Sequence, residues 1–361
     1  MQTCFSDKPG KKSMKSLSEL VRPHLLALAP CPSDRSARAN DIPSVRLDAN
    51  ESPFNFPLNR YPDSAQRSLR AALSSVAGVR PECILPVGGA AEAVDALLRL
   101  FCRPATDNVV SIDPTCAIFA ERAAINDVEY RRVPLDARFD ITADALLEAC
   151  DARTKVLFLC SPNSPTGNLL DRKEVERVLA AFEGLVAVDE AYIDFAAGAS
   201  VLPLLGQYRN LVVLRSFSKA WAMAGVRIGA ALAAPEVVAW LERVVVPQGV
   251  SRPAEESLCE MLRRRFDVDK WVKQTLDERT KVMLAVSELP YCRQVFPSQA
   301  NFFLFRADGA SRVHAHLAAQ GIAVRDCSAL TACKDCLRVT IGLPHENNAL
   351  ISALRNYPTQ S

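Results

Sequence analysis

The sequence has no apolar run of about 18 residues or more, so it offers no candidate for a membrane-spanning helix. It also has no excess of charge of one sign, because 43 lysines and arginines stand against 41 aspartates and glutamates. That balance argues against a nucleic-acid-binding protein that works by neutralising phosphates. The first residues are charged and lack the apolar segment of a signal peptide. We therefore expect a cytoplasmic protein with a loose polar N-terminal tail.

Metal-binding patterns are also scarce. The chain has four histidines, and His314 and His316 are spaced so that a helix would point them to different faces. Cys333 and Cys336 form one CxxC, with Cys327 nearby, but no second pair completes a four-ligand zinc site. The twelve cysteines are scattered, so we expect reduced thiols and no metal. The nucleotide-binding patterns GxxxxGK[ST] and GxGxxG are absent as well.

Apolar segments that alternate with helical patterns fill the middle of the chain. The segments at 108–112, 155–160, 185–192 and 211–216 are typical of strands buried on both faces. Together with the intervening helices they predict an α/β fold: a mostly parallel sheet covered by helices on both faces. Ligands of such a sheet bind outside the carboxyl ends of its strands.

The composition divides the chain into four parts. We predict an N-terminal tail and arm at 1–40, an irregular segment at 41–60 leading to the active site, and a large cofactor-binding domain at 61–248. The remaining part, 249–361, combines a long charged helical region with two or three strands, which is typical of a small α+β domain.

Four features fall where the ligand site of that sheet belongs. Gly88 to Ala91 form a turn of small residues before a helix, which exposes backbone N–H groups to an anion. Asp189 ends one apolar strand, Lys219 follows the next, and Arg227 stands isolated among apolar neighbours. Each residue alone also fits a plain structural role, as a turn, a cap or a solvated charge.

Taken together, these residues indicate pyridoxal phosphate. A lysine amine forms a Schiff base with an aldehyde, and a carboxylate keeps a pyridine nitrogen protonated so that the ring withdraws electrons. Hydroxyl groups, an arginine and a helix N-terminus suit the cofactor's phosphate. The inference depends on the order and placement of all these residues.

At this point the sequence resembles the fold-type I pyridoxal-phosphate-dependent aminotransferases, and within them the histidinol-phosphate aminotransferases. The resemblance extends from about residue 20 to about residue 354. It is carried by the segments Asn59–Pro62, Ser161–Gly167, Asp189–Tyr192, Ser218–Ala220, Ala224–Arg227, Ala300–Phe302 and Leu337–Thr340.

The resemblance implies a reaction and the residues that perform it. The enzyme would transfer an amino group between L-histidinol phosphate and 2-oxoglutarate, giving imidazole acetol phosphate and L-glutamate, in histidine biosynthesis. Lys219 would bind the cofactor and move a proton between substrate and cofactor. Asp189 would pair with the ring nitrogen, and Tyr192 would hydrogen-bond the ring hydroxyl.

The resemblance also implies the binding groups. Those for the cofactor phosphate would be Ser216, Ser218, Arg227, the Ala90 and Ala91 amides, and Tyr61 from the neighbouring subunit of a homodimer. Arg338 would bind the carboxylate of glutamate, and Arg325 is the candidate for the substrate phosphate. Asn50 and Cys31 are further candidate substrate-binding positions.

The chain departs from the family pattern at several positions. Cys116 stands where an aromatic residue stacks on the cofactor ring, and Ser164 stands where an asparagine contacts the ring hydroxyl. Cys31 replaces a tyrosine of the N-terminal arm, and Ala91 replaces an acidic residue. Losing the aromatic stack would weaken cofactor binding by about 0.5–1.5 kcal/mol.

These departures leave alternatives open. A threonine-phosphate decarboxylase shares the same motifs, and so does an aminotransferase for aromatic or other amino acids, because a few residues decide the substrate. A non-catalytic cofactor-binding relative is a third reading, which the complete Ser-x-Ser-Lys context of Lys219 disfavours. A redox or zinc protein built on the cysteines fails on their spacing.

Overall fold

The computed structural model describes residues 14–28, 45 and 47–358. The expected polar tail before residue 14 and the candidate Cys31 lie outside the described residues. None of the helices within these ranges combines the length and the apolar character that a membrane crossing needs.

The described part of the chain contains eleven α-helices and eleven strands, with short 3-10 helices in the connections. The helices are α1 (Leu17–Leu20), α2 (Arg67–Ala77), α3 (Ala90–Phe101), α4 (Ala117–Ile125), α5 (Ala143–Glu148), α6 (Arg172–Ala181), α7 (Pro235–Leu241), α8 (Arg252–Arg263), α9 (Arg265–Ser287), α10 (Ala310–Ala319) and α11 (Pro344–Arg355). The strands are β1 (Ile84–Val87), β2 (Asn108–Asp113), β3 (Glu129–Pro134), β4 (Thr154–Cys160), β5 (Leu185–Asp189), β6 (Leu211–Ser216), β7 (Gly229–Ala233), β8 (Cys292–Val295), β9 (Phe302–Ala307), β10 (Arg325–Asp326) and β11 (Cys336–Thr340).

The first seven strands form one sheet in the order β1-β7-β6-β5-β4-β2-β3. Strands β2 to β6 pair in parallel, while β7 runs antiparallel to both β6 and β1. The predicted mostly parallel sheet is therefore confirmed. The sequence does not predict β7, because its run of glycine and alanine lacks the branched and aromatic residues that mark a strand.

Both faces of this sheet are covered, as the continuous apolar strands predicted. In β4, Leu157 and Leu159 join a core formed with α2, α5, α6 and α8. Phe158 and Cys160 alternate to the other face and join a core formed with α3, α4 and α7. Because successive side chains of a strand point to opposite faces, β4 contributes to both cores.

The last four strands form an antiparallel sheet in the order β10-β11-β9-β8. Its core is shared with α9, α10 and α11. The sequence predicts two or three strands here, and it does not indicate the fourth, β8, because the middle residues Arg293 and Gln294 are polar and exposed. The two sheets fall within the predicted segments 61–248 and 249–361, whose limits stay a prediction.

Candidate active site

The predicted site residues come from the carboxyl edge of the large sheet. Asp189 is the last residue of β5 and Ser216 is the last residue of β6, and these two strands are parallel neighbours. Lys219 follows Ser216 by three residues. On the other side of β5, the loop with Ser164 follows β4. The sheet topology therefore gathers residues that are far apart in sequence.

Asp189 is a buried carboxylate with few partners. Its side chain is 6% exposed, and its Oδ1 accepts a hydrogen bond of 2.9 Å from the Ala191 amide. Burial raises the pKa of Asp189 to about 6, and the nearby Glu190 acts in the same direction, while Lys219 partly opposes it. A carboxylate held this way favours any cation that enters the site.

Lys219 lies beside two aromatic rings that pack against each other. Its Nζ is 5.5 Å from the centre of the Tyr192 ring, and the Lys219 side chain is exposed. The Tyr192 ring meets Phe302 of β9 edge-on, with 5.0 Å between the ring centres. Burial raises the pKa of the Tyr192 hydroxyl well above its usual range, so the phenol stays protonated as a hydrogen-bond donor.

The turn before α3 forms a cradle of backbone against Arg227. Gly89 has φ of 111°, and a Cβ on this residue would lie 3.0 Å from the Arg227 guanidinium. A Cβ on Gly229 would lie 2.8 Å from the Ala90 nitrogen, so both positions admit no side chain. The Ser216 hydroxyl accepts a 3.3 Å hydrogen bond from the Ser218 amide on the adjoining loop. Backbone amides, hydroxyls and a guanidinium at one helix N-terminus suit a phosphate.

The small sheet contributes two arginines. Arg338 of β11 donates a 2.8 Å hydrogen bond from Nη1 to the Ser164 hydroxyl, which links the two sheets. Its guanidinium also lies 5.3 Å from the centre of the Phe302 ring. Arg325 of β10 stands directly opposite Arg338 in the antiparallel register. Like charges at such a pair repel each other, and an anion bound between them would relieve the repulsion.

Cys116 lies in the same site. It caps the N-terminus of α4 and is partly buried. Burial raises the pKa of its thiol, the Asp189 charge adds to this effect, and Lys219 and Arg338 oppose it. The structure therefore brings Cys116 together with the three charged residues, as a neutral thiol.

The cations of the site share one property. Within the described ranges, no carboxylate oxygen lies within 4.0 Å of the side-chain nitrogens of Lys219, Arg227, Arg325 or Arg338. Elsewhere arginines are commonly paired, as Arg215 is with Glu190 at 3.1 Å. Four cations without carboxylate partners around one cleft favour anionic ligands. The cradle at Gly89 and the lightly bonded Asp189 fit a group with a phosphate and a cationic ring nitrogen.

The N-terminal candidates lie elsewhere on the chain. Tyr61 is 55% exposed, and its backbone N–H donates to Glu51 over 2.8 Å. Asn50 is exposed and lines a groove with Tyr61, Gln248 and Ser251. Neither Lys219 nor Arg338 lines that groove.

Two residues of the site have no role that the sequence predicts. Asn163 is fully buried, and its amide joins the loops after β2 and β4 by donating to the Pro114 carbonyl over 2.9 Å and accepting from Thr115 over 2.7 Å. Phe302 supports both Tyr192 and Arg338. Both stand within quoted motifs, but only their contacts reveal what they do.

Comparison with known proteins agrees with this geometry. The family described as aminotransferase class I and II matches residues 33–354. The chain therefore belongs to the class I and II aminotransferases, and the predicted class of enzyme and fold type are confirmed.

Individual relatives are more specific. A protein named histidinol-phosphate aminotransferase from Bacteroides fragilis is 45% identical over 344 residues, which cover 95% of this chain and 100% of the relative. The crystal structure of the histidinol-phosphate aminotransferase from Clostridium acetobutylicum has a TM-score of 0.77 at 21% identity, covering 82% of this chain and 90% of that one. A Sinorhizobium meliloti histidinol-phosphate aminotransferase, solved in complex with pyridoxal-5'-phosphate, has a TM-score of 0.75 at 22% identity and covers 82% of each chain.

Proposed function

We propose that this chain transfers an amino group between L-histidinol phosphate and 2-oxoglutarate with pyridoxal phosphate as cofactor, as a step of histidine biosynthesis. The observation that carries the proposal is the cleft of four cations without carboxylate partners around the buried Asp189. The full-length similarity to the Bacteroides fragilis enzyme supports histidinol phosphate over the phosphate of threonine.

The cofactor, when bound, supplies an electron sink that stabilises negative charge at the substrate Cα. Asp189 would hold the positive charge on the ring nitrogen, and Tyr192 would donate to the ring hydroxyl. Lys219 would bind the cofactor through its amine and then carry the proton that leaves the Cα. The exposure of the Lys219 side chain supports this role, because its amine is open to a ligand.

The remaining groups would fix the two anionic ends of the complex. The cofactor phosphate would be held by Ser216, Ser218, Arg227 and the amides of Ala90 and Ala91. Ser164 and Cys116 would line the cofactor ring. The carboxylate of glutamate would bind Arg338, whose position is set by Ser164 and Phe302. Arg325, directly across the ladder, would take the phosphate of the other substrate.

We further propose a homodimer in which Tyr61 completes the partner's cofactor site and Asn50 contributes to substrate binding there. Large apolar side chains on residues 47–61 support a covered surface, since Leu47 is 90% exposed and Phe54 and Phe56 are each 77% exposed. A monomer rarely leaves such a patch in water. The ten described cysteines are all free thiols, which supports a cytoplasmic location.

Absorbance spectroscopy of the purified, cofactor-loaded protein tests the proposed reaction. Addition of L-histidinol phosphate should bleach the visible band of the lysine-bound cofactor, and 2-oxoglutarate should restore it. The Lys219→Ala variant is the control, because it lacks the amine that produces the band. Restoration without glutamate formation would contradict the transfer.

The same experiment separates the alternatives. L-Threonine phosphate with release of carbon dioxide would indicate the decarboxylase, and bleaching by aromatic amino acids alone would indicate a different aminotransferase. A protein that binds the cofactor but responds to no amine would be a non-catalytic relative.

A further inference from the structure

The CxxC at Cys333 and Cys336 has no part in the proposed reaction, although it adjoins the substrate-binding strand. Cys336 is the first residue of β11, and Arg338 lies two residues along the same strand. Side chains two apart in a strand share a face. Cys327, Cys333 and Cys336 are all buried in the core between the two sheets, and no metal-binding cluster includes them within the described residues.

The backbone brings the two thiols together. The Cys336 amide donates to the Cys333 carbonyl over 3.0 Å, which closes a four-residue turn through Lys334 and Asp335. The ends of such a turn have Cα atoms less than about 7 Å apart, a separation that a disulfide can span. The Cys336 thiol donates to the Lys334 carbonyl over 3.5 Å, and both cysteines are free thiols. The neighbouring Cys333 lowers the pKa of the Cys336 thiol, and the nearby Arg306 acts in the same direction.

The turn is held in a strained conformation. Ala332 and Asp335 both have positive φ, at 58° and 55°. Residues other than glycine adopt this left-handed conformation at an energetic cost. The Arg306 guanidinium donates to the carbonyls of Ala332 and Lys334 at 3.1 and 3.2 Å. Lys334 is exposed, so the buried dithiol lies beneath a turn at the protein surface.

The turn also contacts both sides of the cleft. The Cys327 amide donates to the Cys336 carbonyl over 2.9 Å, next to Arg325 on β10. The Thr331 hydroxyl donates to Asp113 at the end of β2, close to Cys116. A change at Cys336 therefore acts on the strand pair that carries both arginines.

We propose that Cys333 and Cys336 form a redox-active dithiol whose oxidation to a disulfide shifts the start of β11 and weakens the hold of Arg338 on the substrate carboxylate. The oxidant is a low-molecular-weight disulfide. The Cys336 thiolate attacks one of its sulfurs, forming a mixed disulfide and releasing one thiol. The Cys333 thiol then loses its proton and attacks the Cys336 sulfur, which releases the second thiol. The protein loses two electrons and the reagent gains them.

Peptide mapping tests the disulfide without any activity measurement. The reduced holoenzyme is treated with oxidised glutathione, its remaining thiols are alkylated, and it is digested with trypsin without reduction. Cleavage after Lys334 separates Cys333 from Cys336, so a disulfide leaves peptides 326–334 and 335–338 linked. The linked pair should form in the wild type and in Cys327→Ser, and should be absent from Cys333→Ser and Cys333→Ala. No linked pair in the wild type, or one that survives in both Cys333 variants, would overturn the proposal.

Two further measurements test the effect on β11. Hydrogen exchange at the amides of residues 336–340 should quicken on oxidation and slow again with dithiothreitol, and unchanged exchange would overturn the coupling. The KM for glutamate, a readout that depends on the proposed function, should rise roughly tenfold in the wild type but not in Cys333→Ser. Faster exchange with an unchanged KM would support the dithiol and contradict the role assigned to Arg338.

Discussion

Two consecutive carboxylates at the end of β5 lie in opposite environments. Glu190 accepts hydrogen bonds from the Ser200 hydroxyl at 2.8 Å and the Val201 amide at 2.6 Å, and it pairs with Arg215 at 3.1 Å. Asp189 accepts one bond within the described residues, from an amide two positions along its own chain. Both side chains are buried. Glu190 is therefore satisfied by the fold, whereas Asp189 has capacity left for a ligand.

The comparison separates structural from functional charges. Burial raises the pKa of both carboxyl groups, so burial alone does not identify the site. The difference lies in the partners, since Arg215 neutralises Glu190 while Lys219 lies near Asp189 without forming an ion pair. A buried acid left with one hydrogen bond costs stability unless a cation arrives. The cofactor's ring nitrogen would be that cation.

The largest expected effect comes from a change at Lys219, which lies near Asp189. Lys219→Ala should lower kcat by about 10⁴-fold, because it removes both the cofactor's attachment and the proton carrier. The melting temperature of the cofactor-free protein should hardly change, since the Lys219 side chain is exposed and has no carboxylate partner in the described structure. Lys270→Ala, an exposed lysine on α9, is the control and should keep full activity. Comparable losses in both variants would contradict the assignment.

The next effect distinguishes the two carboxylates directly. Asp189→Asn should reduce kcat by about 10³-fold, because a neutral amide cannot hold the ring nitrogen in its charged form. In the cofactor-free protein the same change should stabilise the fold. The raised pKa of about 6 means that stability is complete below about pH 4 and falls by roughly 3 kcal/mol as the pH rises through 6. Denaturant melts from pH 4 to 8 should show this loss in the wild type and a smaller loss in the variant, in which Glu190, whose pKa is also raised, still titrates.

Glu190→Gln is the matched control for that experiment. It leaves Arg215 without its buried partner, so it should destabilise the protein by about 2 kcal/mol. A Glu190→Gln variant that is more stable than the wild type at pH 8 would contradict the claim that the fold satisfies Glu190 but not Asp189.

The sequence predicts the residues of the site better than it predicts where the helices and strands begin and end. Apolar runs located β4, β5 and β6, and the carboxyl-edge rule then placed Asp189 and Lys219 together. The apolar segment predicted as a strand at 185–192 ends as β5 at Asp189, because an apolar pattern does not fix where an element ends. The separation of Asp189 from Glu190 was not predictable, since the partners of Glu190 lie in a loop ten residues away.

The contacts between the two sheets could not be predicted from the sequence either. The hydrogen bond from Arg338 to Ser164 joins residues 174 positions apart, and no local pattern encodes such a pair. The resemblance named both residues but assigned them to different ligands. The structure instead connects them, so a change at Ser164 also changes the environment of the substrate arginine.

The substrate arginines should give smaller, selective effects. Arg338→Lys should raise the KM for glutamate by about 10²-fold with a modest loss of kcat, because an ammonium cannot grip a carboxylate with two parallel bonds. Arg325→Gln should raise the KM for histidinol phosphate and leave that for glutamate nearly unchanged. Steady-state kinetics with each substrate varied in turn measure both. Equal effects of the two variants on both substrates would contradict separate anion sites.

The smallest effect is expected at Cys116, where the cleft departs from the family pattern. Cys116→Phe places an aromatic ring beside Asp189 and Lys219 and should tighten cofactor binding by about 0.5–1.5 kcal/mol, or roughly twofold to tenfold in Kd. Equilibrium titration of the cofactor-free protein, followed by visible absorbance, measures this change. Cys292→Phe, at a partly buried position on β8, is the control and should leave the Kd unchanged. Weaker binding in Cys116→Phe would mean that the neutral thiol is fitted to the ring, and that the cleft has adapted to a small residue at this position.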